Sequence, residues 1–296
     1  MAAKIIDGKA IAARVRERVA ADVAQLKAAA GVTPGLATVL VGEDPASAVY
    51  VGGKQRACRE VGMTALDRRL PTTASHEQVA ELLGELNQDV TVSGVLLQLP
   101  LPGDLDGAAL TGLIDPAKDV DGLTPVNAGL LSLGRPGLRP CTPLGVLELL
   151  ASVEAKLEGA EAVVVGRSNL FGKPMAQLLL AENATVTVCH SRTRDLAEVC
   201  GRADVLIAAV GRARLIERHF VKPEAVVIDV GMNRLTPREA QNKSGLVGDV
   251  DFAAVAEVAG AITPVPGGVG PMTVACLLEN GFAAACQRRG LDPASI

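Results

Sequence analysis

The sequence is poor in aromatic residues: no Trp, one Tyr and four Phe among 296 residues. Its core must therefore be aliphatic, built from Ala, Val, Leu and Ile. The base-stacking platforms of single-strand nucleic-acid binders are largely excluded. It also lacks any Cys-x-x-Cys. The six cysteines stand at 58, 141, 189, 200, 276 and 286, with no zinc-ligand spacing, so no metal is implied. Free thiols in a reducing compartment suit a chain of this size better than three disulfides. Positive charge is not in excess either. The net charge of −4 argues against a nucleic-acid backbone as main partner. No run approaches the roughly 18 apolar residues of a membrane span. The opening MAAKIIDGKAIAARVRERVAAD is charged every few residues and lacks the apolar core of a signal peptide. The expectation is a cytoplasmic protein with neither membrane nor nucleic acid as partner.

What is present is an α/β pattern. Hydrophobic residues are 49% and charged ones 21%, which fits a globular protein with room for about two domains. Ile11, Val15, Val19, Val23 and Leu26 fall at spacings of three and four, one helical face stopped by Gly31. Strands over 36–42, 64–70 and 92–102 then alternate with helices over 46–61 and 75–87, the signature of a parallel sheet. Residues 100–143 are rich in Pro, Gly and Asp and read as a working loop region. From 161 the rhythm restarts, with strands over 162–166, 184–190, 204–211 and 225–231 and a helix over 172–182. This is a doubly wound unit of the Rossmann type. A helix over 272–289 closes the chain and could pack back on the first unit.

The second half has the features of a dinucleotide site. The first strand runs into GRSNLFGKP (166–174), a glycine-bearing loop at a helix start, where backbone N–H groups can face a pyrophosphate. The second strand ends in Cys189, His190, Ser191 and Arg192, without the acid that holds ribose hydroxyls in NAD-specific folds. That absence, with Arg167 and Arg192 present, favours a 2′-phosphate and hence NADP. PVPGGVGPMT (264–273) is a second backbone-exposing loop before a helix.

The first half carries reactive side chains. Ser47, Tyr50 and Lys54, spaced i, i+3, i+7, share one helical face. An aromatic ring beside an ammonium can stack on a flat heterocycle while the amine moves a proton. Gln98 interrupts the apolar stretch VLLQLPLP and must find a polar partner. Asp121 lies in KDVDG, in the loop region following that strand. Cys141 reads as a small buried filler and is assigned no catalytic role.

Taken together, SAVYVGGK (47–54), GVLLQLPLP (94–102), KDVDG (118–122), RPCTPLG (139–145), VVGRS (164–168), CHS (189–191) and PGGVGPMT (266–273) resemble the bifunctional methylenetetrahydrofolate dehydrogenase/methenyltetrahydrofolate cyclohydrolase family. The resemblance implies NADP-dependent oxidation of 5,10-methylenetetrahydrofolate and hydrolysis of the product to 10-formyltetrahydrofolate. It assigns 1–140 and 272–296 to a folate-binding catalytic domain, and 141–271 to an NADP-binding domain. Lys54 is then the central catalytic residue, positioned by Gln98, with Tyr50 stacking on the folate ring and Asp121 bonding the pterin. Ser47, Leu99, Pro100, Pro264 and Gly268 join the substrate site. Gly166, Arg167, Ser168, His190, Ser191, Arg192, Thr142, Gly267, Gly268, Val269 and Thr273 surround the cofactor. A homodimer formed through the cofactor domains is implied too. The sequence departs from the family at Asn169, Leu170 and Phe171, and at Arg212 and Arg214 in GRARLI. Another two-domain NADP dehydrogenase would explain the Rossmann half but not the Tyr50, Lys54, Gln98 and Asp121 set. A dehydrogenase with weak cyclohydrolase activity is the remaining alternative.

Overall fold

The computed structural model describes residues 3–235 and 245–293. In chain order the elements are β1 (Lys4–Ile5), α1 (Gly8–Ala30), β2 (Gly35–Val41), α2 (Pro45–Glu60), β3 (Thr64–Leu70), α3 (His76–Gln88), β4 (Gly94–Leu97), α4 (Gly107–Thr111), α5 (Pro125–Ser132) and α6 (Cys141–Ala151). There follow β5 (Glu161–Val165), α7 (Gly172–Ala181), β6 (Thr185–Cys189), α8 (Leu196–Cys200), β7 (Val205–Ala208), β8 (Val226–Asp229), β9 (Asn233–Arg234), β10 (Leu246–Val247), α9 (Phe252–Val255), β11 (Ala261–Ile262) and α10 (Val269–Gln287). The chain divides into two units. One comprises Met1–Ala12 with Thr142–Thr273, the other Ala13–Cys141 with Val274–Ile296.

The second of these holds a three-stranded parallel sheet, ordered β3-β2-β4. All seven residues of the central β2 are buried, as expected of a strand covered on both faces. The helical face read from the sequence is real: Ile11, Val15, Val19, Val23 and Leu26 of α1 are all buried. Helix α3 begins with a capping box. Ser75 Oγ accepts the Gln78 N–H and the Gln78 side chain accepts the Ser75 N–H. It buries Val79, Leu83 and Leu86 against Ala37, Val39, Val95 and Leu97 of the sheet cluster, each worth about 1.5–3 kcal/mol when fully covered. Helix α10 belongs to this unit from Val274 onward, where Glu279 pairs with Arg18 of α1 at 2.7 Å. Its length and hydropathy would match a membrane span, but 67% of it is buried inside the protein.

The other unit is built on a six-stranded, wholly parallel sheet ordered β1-β11-β8-β7-β5-β6. Its core is small and aliphatic, with Val163, Val165, Leu206, Ala208, Val227 and Ile262 among the buried residues. The expected domain boundary is corrected at the N-terminus. Lys4 and Ile5 pair with Ala261 and Ile262, so the chain's first strand completes this sheet rather than the folate-side one. The cause is hydrogen bonding: Lys4 and Ile6 N–H donate to Gly260 and Ile262 carbonyls at 2.8 and 2.9 Å. Residues 1–2 and 294–296, the outer ends of the expected domain segments, lie outside the described residues.

Candidate active site and cofactor crevice

Helix α2 starts where the Asp44 carboxylate accepts the Ser47 N–H at 2.8 Å, with Pro45 in its first turn. Ser47, Tyr50 and Lys54 follow along it. Ser47 and Lys54 are buried, while Tyr50 is 40% exposed and offers its ring to a ligand. Gln55 Nε2 donates to Thr38 Oγ1 of β2 at 3.0 Å and pins the helix to the sheet. Lys54 Nζ lies 5.7 Å from the Tyr50 ring centroid and donates to Gln98 Oε1 at 3.1 Å. Gln98 follows β4 directly. Its Nε2 donates to Leu99 O at 2.6 Å, so the amide nitrogen is occupied and the amide oxygen is left for the ammonium. The polar partner that Gln98 requires is therefore Lys54. Pro100 follows through a cis peptide bond with Leu99.

Asp121 sits in a turn over 119–122, closed by the Gly122 N–H donating to Asp119 O at 2.9 Å. Gly122 has φ +66°, and a Cβ there would stand 2.3 Å from Arg139 C. No other residue fits this approach of the turn to the 139–141 segment. The turn is anchored by its own neighbours. Buried Asp119 accepts from Thr124 N at 2.7 Å and Asn127 Nδ2 at 2.9 Å. Fully buried Lys118 donates to Leu86 O at 2.8 Å and Asp89 O at 2.7 Å, carbonyls at the end of α3. Burial pushes the Asp121 carboxyl above its ordinary pKa. Lys54 opposes the rise, Asp119 adds to it, and a hydrogen bond with Cys141 opposes it. Cys141 is buried as expected, yet its thiol meets Asp121 and donates to Val120 O at 3.1 Å. Burial and the facing carboxylate hold that thiol well above its ordinary pKa. An oriented ammonium, a carboxyl pushed toward its neutral form and an exposed aromatic face can together bind a flat polar heterocycle and exchange protons with it.

In the other unit the strand order reverses at β5, with β6 on one side and β7 on the other. Such a reversal opens a crevice at the carboxyl ends of the strands. Gly166, φ +139°, ends β5, and a Cβ on it would lie 2.3 Å from Ala209 O. A Cβ on Gly172 would lie 2.1 Å from Gly166 O, so α7 begins directly against the strand end. Ser168 Oγ accepts from Phe171 N at 3.2 Å and Gly172 N at 3.5 Å. Arg167 is exposed beside it. After β6, His190 Nδ1 accepts from Arg192 N at 3.1 Å and His190 N donates to Thr193 Oγ1 at 2.9 Å. This turn presents Ser191 and Arg192 to solvent. Thr142 and Thr273 join through their hydroxyls at 3.0 Å. The loop carrying Pro264, Gly267 and Gly268 leads to Val269, the first residue of α10. A Cβ on Gly8 would meet Gly268 O at 1.8 Å.

Two buried carboxylates hold this crevice, and neither stood out in the sequence. Asp249 accepts the N–H groups of Val210 (2.6 Å), Gly211 (2.9 Å) and Arg212 (2.9 Å), and Asn233 Nδ2 at 2.9 Å. Behind it Asp229 accepts from Gly231 N, Asp249 N and Val250 N. Burial pushes the Asp229 carboxyl up to about 7, against those hydrogen bonds. Their only sequence signal was the Gly-Asp pairing in VGDVD and the acid ending an apolar strand. A glycine-lined crevice with exposed Arg167 and Arg192, and no carboxylate at 189–192, fits a dinucleotide with an added phosphate.

Residues 6–121 match the catalytic domain of tetrahydrofolate dehydrogenase/cyclohydrolase, and residues 140–289 match the NAD(P)-binding domain of the same enzymes. The chain belongs to the tetrahydrofolate dehydrogenase/cyclohydrolase family. It is 61% identical to bifunctional protein FolD 2 of Frankia casuarinae over 99% of both chains. Its fold superimposes on the FolD dehydrogenase/cyclohydrolase of Campylobacter jejuni with a TM-score of 0.92, at 44% identity, covering 97% of this chain and 100% of that one. The Trypanosoma brucei FolD, solved with NADP cofactor and an inhibitor, gives 0.92 at 36% identity over 98% and 99% of the two chains. In this member of the family, the catalytic-domain match ends on Asp121 and takes in Lys54 and Gln98, and the NAD(P)-binding match takes in Gly166 and Asp249.

Proposed function

We propose that this chain oxidises 5,10-methylenetetrahydrofolate to the 5,10-methenyl cation and then hydrolyses that cation to 10-formyltetrahydrofolate. The observation that carries the reading is the Lys54–Gln98 pair, 3.1 Å apart beside an exposed Tyr50, within the part of the chain matched as the catalytic domain. Bound NADP+ supplies the hydride acceptor for the first step. Gln98, its nitrogen committed to Leu99 O, fixes the Lys54 amine. Tyr50 covers one face of the pterin, and Asp121 hydrogen-bonds its polar edge. Ser47, Leu99 and Pro100 line the same site. Pro264 and Gly268 contribute from the loop before α10. In the hydrolysis, Lys54 takes a proton from the water that adds to the methenyl carbon. A carbon–nitrogen bond of the ring then opens to leave the formyl group on N10.

For the cofactor, Gly166, Ser168, Gly267, Gly268 and Val269 offer backbone and hydroxyl contacts to the dinucleotide. Thr142 and Thr273 flank it, and His190 shapes the turn after β6. Arg167, Ser191 and Arg192 bind the 2′-phosphate. The product serves one-carbon transfer, including purine synthesis, in the cytoplasm. The chain acts as a homodimer through its cofactor units. Supporting this, β6 is the outer strand of the six-stranded sheet and leaves Val188 39% exposed, an edge open to pairing.

The test is an assay of purified protein with methylenetetrahydrofolate and NADP+ or NAD+, following reduced cofactor and methenyl product together. NADP+-dependent reduction with little methenyl accumulation is expected. Methenyl build-up would leave a dehydrogenase alone, and no reduction with either cofactor would overturn the reading.

A further inference from the structure

Helix α10 is apolar, yet it carries Asn280 with only 5% of its surface exposed. A buried carboxamide is costly unless its N–H groups are used. Asn280 Nδ2 donates to Val120 O at 2.8 Å and to Arg139 O at 2.8 Å, and it stands 3.5 Å from Cys141 Sγ. Val120 O also accepts from the Cys141 thiol. One amide therefore joins three segments: the turn bearing Asp121, the 139–141 segment behind it, and α10. The closeness of Gly122 to Arg139 leaves the turn no slack on that side. The Asp119 bonds to Thr124 and Asn127 hold its other side. Asn280 is 160 residues from Val120 in sequence and touches no other part of the folate site described above.

We infer that Asn280 is a positioning residue of the folate site, setting the place of the Asp121 carboxyl through the Val120 carbonyl and the Cys141 thiol. The inference rests on the proposal that Asp121 binds folate. Loss of the amide frees Val120 and Arg139 to separate and lets the turn relax toward solvent. Asp121 then meets substrate in the wrong place, although its own side chain is intact. The groups facing Asp121 are Lys54, Asp119 and Cys141, and none of them is removed by changing Asn280.

The experiment compares Asn280→Ala, Asn280→Ser, Asp121→Asn and the double variant Asn280→Ala/Asp121→Asn in the full-length protein. In Asn280→Ala the KM for methylenetetrahydrofolate rises about tenfold, the loss of one buried hydrogen bond, while the KM for NADP+ stays put. Asn280→Ser retains a donor and gives an intermediate value, which also serves if the Ala variant does not fold. In the double variant the Asn280 change adds nothing to the Asp121→Asn loss. Equal rises in both KM values, or fully additive effects, overturn the positioning role. An Asp121→Asn variant with unchanged folate KM overturns the reading of Asp121 itself, and the inference with it.

Discussion

Lys54 and Gln98 meet through side-chain atoms at 3.1 Å, whereas Gly166 meets Ala209 through a space that no side chain can enter. The two units thus build their sites from different material. On the folate side, residue identity carries the chemistry. An amine, an amide, a phenol and a carboxyl are aimed by helix face and turn. On the cofactor side, backbone carries it, since the crevice consists of amides that glycine exposes and that Asp249 and Ser168 hold in order. The first kind of site loses function when an atom changes. The second loses it when an atom is added.

The sharpest way to break this contrast is Lys54→Met. It keeps length and loses the amine, so cyclohydrolase activity should fall about a thousandfold, within the range for a positioned acid–base group. The KM for NADP+ should not move. A variant retaining more than a tenth of wild-type hydrolysis of the methenyl substrate would end the assignment. Next comes Gly166→Ala, with a Cβ forced against Ala209 O at φ +139°. Strain of this kind costs about 1–3 kcal/mol. Denaturant unfolding should show that loss, with weaker NADP+ binding and an unchanged response to folate. Wild-type stability and cofactor KM in this variant would show that the crevice tolerates side-chain bulk. The smallest effect concerns pH. Asp229 holds its proton more tightly folded than unfolded, so the folded state binds the extra proton and its advantage fades as pH rises toward about 7. Between pH 6 and 7 that amounts to about 1 kcal/mol of stability lost. Unfolding curves at the two pH values should show this loss in wild type and not in Asp229→Asn. Identical pH responses would refute it.

The same contrast explains what the sequence made legible. The α2 face and the oddity of Gln98 could be read directly, because a helix repeats and an amide in an apolar strand needs an explanation. The cofactor side was readable only through punctuation: glycines at strand ends and a missing acid after Cys189. Strands β1 and β11 are two residues each, too short to show any period, so the N-terminal strand was placed in the wrong unit. Cys141 looked inert because its neighbours in sequence are not its neighbours in space. Asp121 is twenty residues away from it and Asn280 is 139 residues away. Asp249 was invisible for a related reason. Its partners are backbone N–H groups, which every residue has, and sequence does not say which of them are held.

Lys118 adds a consequence of another sort. Wholly enclosed and tied to two peptide oxygens at the end of α3, it behaves as an internal cation ligated by carbonyls, next to the turn that carries Asp121. An amine-directed reagent cannot reach it while the turn is seated. Covalent labelling at Lys118 would therefore be a clock for the opening of that turn, running at the rate of local unfolding. Surface lysines such as Lys4 would be modified at once.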